Sequence, residues 1–148
     1  MTEDSLLARK LLEEEGCTCV LCNQDTVYKS FRRGISPLLA VLEKRQDFSG
    51  FSAADKVVGK AAALLYCLMQ VRAVYAPVIS RSAQELLQAH NISVHYGLCV
   101  CAIKNRTGDG LCPMETAVQH ITDPRQALPA IRKALPALQQ PPLQSNFL

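Results

Sequence analysis

The chain has 148 residues, of which 49% are hydrophobic and 20% charged, a composition that supports one domain with a real core and excludes a disordered polypeptide. Its formal charge of +3 is small and its Lys and Arg residues are scattered, which argues against a nucleic-acid stripe or an anionic membrane surface as partner. No apolar run approaches the roughly 20 residues that span a bilayer, and Thr2-Glu3-Asp4 is acidic where a signal peptide starts basic, so a cytoplasmic protein is expected. Seven cysteines, an odd number, then read as reduced thiols rather than a disulfide framework.

In chain order, Asp4 or Ser5 is expected to cap a helix that runs to Glu15. Leu6, Leu7, Leu11 and Leu12 form its apolar stripe and Gly16 stops it. Cys17 to Cys22 and Thr26 to Phe31 read as two strands of an antiparallel hairpin around Asn23-Gln24-Asp25. Ser36-Pro37 starts a second helix, in which Leu38, Leu39, Val41 and Leu42 face inward. Phe48 to Ala54 is expected to be a strand feeding a buried helix from about Val57 to Val71.

Ala73 to Ile79 is the next strand, and Ser82-Ala83-Gln84-Glu85 forms a capping box for a helix toward His90. Ile92 to Tyr96 is a further strand, which Leu98 to Ile103 extends or pairs. Asn105-Arg106-Thr107-Gly108-Asp109-Gly110 is turn chemistry. Cys112-Pro113 opens a short helix, and Asp123-Pro124 opens the last one, which Pro129 and Pro136 should make irregular. The expected domain covers residues 1–138, followed by a loose Pro- and Gln-rich tail over 139–148.

Two cysteine groups invite a metal reading. In Cys17-Thr18-Cys19-Val20-Leu21-Cys22, strand alternation puts Cys17 and Cys19 on one face and Cys22 on the other, so three ligands do not converge. Cys99 and Cys101 share a face but lack a nearby CxxC or paired His. No metal ligand set and no cofactor are therefore assigned, and the thiols read as core residues.

The order of elements predicts a three-layer α/β/α sandwich around a mostly parallel sheet with an antiparallel hairpin strand. Ligands of such sheets bind beyond the carboxyl ends of strands, a class that here contains or adjoins Arg33 to Ser36, Asp55 to Lys60 and Asn105 to Glu115. The segments RGISPLL, AADKVVGKAAALL and NRTGDGLCPMETAV resemble those of a small prokaryotic family of unknown function whose fold is similar to cytidine deaminase without its zinc centre. The resemblance covers roughly residues 5–135 and implies a mixed sheet of order 2-1-3-4-5.

Zinc deaminases carry His or Cys followed by x-Glu at one helix start and PCxxC at the next. Gly34-Ile35-Ser36-Pro37 and Lys56-Val57-Val58-Gly59-Lys60 stand at those two places here, so zinc-dependent deamination is not expected. Asp55, Lys56, Gly59 and Lys60 at a helix start instead suggest an anion or nucleotide-like small molecule, with Arg33, Gly34, Ser36, Asn105 and Arg106 around it. Three bland roles stand beside that reading. Lysines also snorkel along apolar surface, Asp55 can cap a helix, and Gly59 can relieve helix packing.

Gly59-Lys60 is no phosphate loop, since Ala54 stands where the first glycine is needed and Ala61 replaces the Mg-binding hydroxyl; GxGxxG is absent too. The alternative is a metal-independent enzyme. In it Cys112, a thiol at a helix start, serves as nucleophile or sulfur carrier, Lys60 as electrostatic stabiliser or acid, and Glu115 as acid/base. Cys112 can equally line a ligand site or only cap its helix, with Glu115 returning to the Cys112 backbone N–H. The Leu- and Ala-rich helices leave a homo-oligomer open.

Overall fold

The computed structural model describes residues 1–44, 46–105 and 107–139. Helix α1 (Glu3–Glu15) is capped by the Thr2 hydroxyl, which accepts from the Ser5 N–H, rather than by Asp4 or Ser5. It ends at Gly16, whose left-handed φ of 73° suits a residue without Cβ. Strands β1 (Cys19–Asn23) and β2 (Thr26–Ser30) form the expected antiparallel hairpin. Cys17 precedes the strand, so alternation does not apply to it. It packs with Val20 and Cys22, on the face opposite Cys19 and Leu21, and the expected pairing of Cys17 with Cys19 is corrected.

Helix α2 (Ser36–Leu42) carries Pro37 in its first turn, but its N-cap is Ile35, without a side-chain cap. Strand β3 (Ser52–Asp55) is shorter than expected, because Phe48 and Phe51 enter the core from an irregular segment where their rings meet edge to face. The helix expected from Val57 starts three residues later. Val57–Val58 is a two-residue strand, β4, and α3 spans Lys60–Met69. Strand β5 (Ala73–Ser80) leads into α4 (Arg81–Ala89), whose cap is Ser80, accepting from Ala83 N–H, and not a box at Ser82.

Strand β6 (Ser93–Val100) is continuous. The short α5 (Pro113–Ala117) and α6 (Pro124–Gln139) follow, and α6 continues through Pro129 and Pro136. Exposed Pro129 leaves its freed carbonyl partner within reach of water, which lowers the cost of continuing. Beyond Gln139 the tail lies outside the described residues, as does Arg106.

The result is a mixed six-stranded sheet. β1 pairs antiparallel with β2 and β3, β3 and β4 both run parallel to β5, and β6 runs parallel to β5 on its other side. Helix α1 covers β1, β3 and part of β5, sealing Ala8, Leu12, Cys17, Val20, Cys22, Ala54 and Tyr75. The larger core lies on the opposite face under α2 to α6, with α3 at its centre.

A line of backbone irregularity crosses this sheet. The registers set Lys56 opposite Pro77 and Pro77 opposite Gly97. Pro77 has no N–H for the ladder, and Val78 N–H donates to the Lys56 carbonyl at 3.3 Å instead. Side-chain alternation inverts across the line: Ala53, Val74 and Ala76 face the larger core before it, Val58 and Ile79 after it. Val57 and Leu98 are thereby turned out to 48% and 58% exposure. A Cβ on Gly97 would stand 2.9 Å from the Pro77 carbonyl oxygen. Gly97→Ala should therefore lower stability by about 1–3 kcal/mol in urea unfolding, through a backbone clash that no rotamer relieves.

Candidate functional site

Helix α3 is almost wholly buried: Ala61 to Cys67 and Met69 are inside. Its N-cap is Gly59, in extended backbone and without a side chain to accept from the first-turn amides. Those amides need a partner, because an unpaired buried N–H costs about 1–3 kcal/mol. The partner comes from 55 residues away. Glu115 of α5 accepts from Lys60 N–H through Oε1 at 2.7 Å and from Ala61 N–H through Oε2 at 2.9 Å. The carboxylate also lies at the positive end of the α3 dipole, where negative charge is favoured.

Gly59 makes this possible by absence. A Cβ there would be 2.6 Å from both the Glu115 carboxyl carbon and Oε1. Lys60 adds a second tie, its ammonium donating to the Gln119 carbonyl at 3.0 Å, just past the end of α5. Lys60 and Glu115 are both half-buried, so three hydrogen bonds join the start of α3 to the α5 turn at the protein surface.

The remaining candidates divide by position. Lys56 is exposed in the link between β3 and β4, not in the first turn of α3, so it does not share a helix face with Lys60. Asp55 is not a helix cap. It ends β3, is 8% exposed, and accepts from the Tyr66 hydroxyl at 2.8 Å. Burial pushes its carboxyl up to about 7, against the Tyr66 hydroxyl and the backbone N–H groups of Val57 and Lys56, which favour the charged form. Cys19, opposite Asp55 in the β1–β3 register, lies 3.4 Å from the Tyr66 oxygen, and burial pushes its thiol upward.

Cys112 is the N-cap of α5 and half-buried. Its backbone N–H donates to the Ile103 carbonyl, so Glu115 does not make the capping-box exchange with it. Among the described residues its thiol has no hydrogen-bonded base. Asn105 belongs to a turn closed by the Lys104–Leu111 bridge, where it accepts from Thr107 and Gly108 and donates to Asp109 at 3.0 Å. Arg33 and Gly34 are exposed and Ser36 half-buried at the start of α2, and among the described residues none of their side chains bonds to Lys60 or Glu115. Arg106 lies outside the described residues.

Two surface hollows lie elsewhere, one lined by Thr2, Glu3, Asp4, Leu7, Gln24 and Asp25, the other by Leu12, Glu13, Gly16, Lys56 and Pro77. Among the described residues no three His, Cys, Asp or Glu side chains group to hold a metal ion, and no helix is long and apolar enough to cross a membrane.

A family model described as TM1506, a domain of unknown function (DUF1893), matches residues 7–135. The chain belongs to the DUF1893 family. A crystal structure of a DUF1893 family protein, TM1506 from Thermotoga maritima, is similar with a TM-score of 0.79 at 28% identity, over 93% of this chain and 92% of that one. No curated protein matches. DUF1893 membership fixes the fold relationship and leaves the chemistry to the residues.

The Glu115 bridge gives a sharp coupling test. Glu115→Ala should cost about 2–4 kcal/mol in urea unfolding, below the roughly 3–6 kcal/mol of two fully buried charge-assisted bonds because these two are only half-buried. Gly59→Ala should displace the carboxylate and cost nearly as much. The double variant should be no less stable than Glu115→Ala alone, since the backbone of Gly59 accepts a side chain once Glu115 is gone.

Proposed function

We propose that this chain is a zinc-independent, deaminase-like domain that binds a nucleotide-like or other anionic small molecule at the start of α3. The observation that carries the reading is the carboxylate held on the Lys60 and Ala61 amides. Two converging N–H groups, the helix dipole and the Lys60 ammonium form a receptor for a planar or tetrahedral anion, and Glu115 fills it in the free chain. A ligand anion would take over those amides, and α5 would turn outward with Glu115.

The sheet supports the deaminase-like part. With β3 and β4 taken as one interrupted strand, the order is β2, β1, β3/β4, β5, β6, which agrees with the order that the resemblance implies; on that reading the starts of α2 and α3 correspond to a deaminase's metal-ligand positions. Ser36 and Lys60 stand there instead. Asn105, Arg33 and Gly34 are proposed as outer contacts of a larger ligand, Arg106 with them, whereas Lys56 lines the hollow beside Leu12 and Glu13 on the α1 side of the sheet. The enzyme alternative through Cys112 gains no support from a partner base.

The test is a thermal-shift screen with inorganic phosphate, nucleoside monophosphates and nucleoside triphosphates. Glu115→Gln removes the competing charge, so it should bind at least one of these anions about tenfold more tightly than the unaltered chain, and Lys60→Ala should weaken that binding. Binding unaffected by either substitution would place the anion elsewhere, and no binding by Glu115→Gln would remove the receptor reading.

A further inference from the structure

The two edges of the sheet differ in how they are closed to further strands. β2 has five residues, carries Lys29, whose ammonium donates to Glu15 of α1, and leads into Arg32 and Arg33. β6 has eight residues and contains no Lys, Arg, Asp, Glu or Pro. One side of β6 pairs with β5, and among the described residues no strand pairs with the other. A long uncharged edge offers its free N–H and C=O groups to any extended chain, which is why proteins block such edges with charge, proline or cover.

The surroundings of this edge are complementary to themselves. Val57, Val78 and Leu98 stand in register across β4, β5 and β6, on the face opposite Val58 and Ile79, and the row is open to solvent at Val57 and at Leu98. On the other face α4 flanks β6. Gln84 donates to the Tyr96 hydroxyl at 3.4 Å and accepts from the Cys99 thiol at 3.3 Å, which sets it level with Leu98. Exposed Arg81 and Glu85 stand three residues before it and one after it.

We propose that a second copy of this chain pairs with β6, edge to edge, in a two-fold dimer whose axis passes beside Leu98. Identical edges related by a two-fold axis run antiparallel, so the contact closes on itself and leaves only the charged β2 edges open. Leu98 meets its own copy, and Val57, Val78 and Leu98 of each chain form one apolar row across the joined sheet. Helix α4 lies antiparallel to its copy. At about 1.5 Å of rise per residue, Arg81 of one chain stands within about 3 Å, along the helix, of the level of Glu85 of the other. Two opposite-charge pairs result, one on each side of the axis. This match of the surface to itself selects a second copy over a foreign strand, which the bare edge would also accept.

Sedimentation velocity of the full chain at micromolar concentration is the test. The unaltered chain should sediment as a dimer, and Leu98→Lys, at an exposed position, as a folded monomer. Arg81→Glu and Glu85→Arg each set two like-charge pairs across the axis and should weaken the dimer about fivefold. An equimolar mixture of these two variants should dimerise more tightly than either alone, because both pairs of the mixed dimer are again opposite in sign. Neither chain regains an Arg81 with a Glu85 of its own, so the mixture separates a contact between chains from a change within one helix. A monomeric unaltered chain, as expected if the edge serves a foreign strand, would overturn the proposal. So would a dimer that Leu98→Lys leaves intact, or a mixture no tighter than its components.

Discussion

A buried helix that begins on a glycine needs an acceptor from elsewhere, and in this protein Glu115 supplies it. The constraint arises because α3 is the centre of the larger core and has almost no polar face, so its part-buried first amides take an acceptor from a neighbouring element. Satisfying them from α5 fixes the end of the chain against its middle. It also explains three neighbouring details together: the missing Cβ at residue 59, the half-buried Lys60 reaching Gln119, and Met114 and Val118 entering the core on either side of Glu115.

The irregular line through Lys56, Pro77 and Gly97 sets where that helix begins. Without the inversion at Lys56, Val58 would not face the larger core and the chain could not turn into α3 at Gly59. The same line turns Val57 and Leu98 outward and leaves Asp55 as the last inward residue before the break. Fold and candidate site thus share one feature, a strand that is interrupted rather than continuous. The buried Asp55 below it and the bridged helix start above it both depend on that interruption.

Local pattern made much of this legible. The Leu stripe and Gly16 marked α1, the turn residues Asn23 to Asp25 marked the hairpin, and apolar runs marked β5 and β6. What escaped were features decided by distant partners. Asp55 followed by an apolar run looks like a cap, yet two β-branched valines continue the sheet and move the helix start to Lys60. Glu115 appears in a capping-box position relative to Cys112, but its partners lie 55 and 54 residues away, beyond any local window. The available signal was indirect: an apolar helix preceded by glycine, with no Ser, Thr, Asp or Asn at its cap, must borrow an acceptor.

The central claim is that the Glu115 carboxylate occupies and protects the first amides of α3. Amide hydrogen exchange resolved to single residues, compared between the unaltered chain and Glu115→Gln, addresses it most directly. The account predicts that the Lys60 and Ala61 amides lose protection by at least tenfold in the variant while Leu64 and Leu65, deeper in the same helix, keep theirs. Equal protection at Lys60 and Ala61 in both proteins would contradict it.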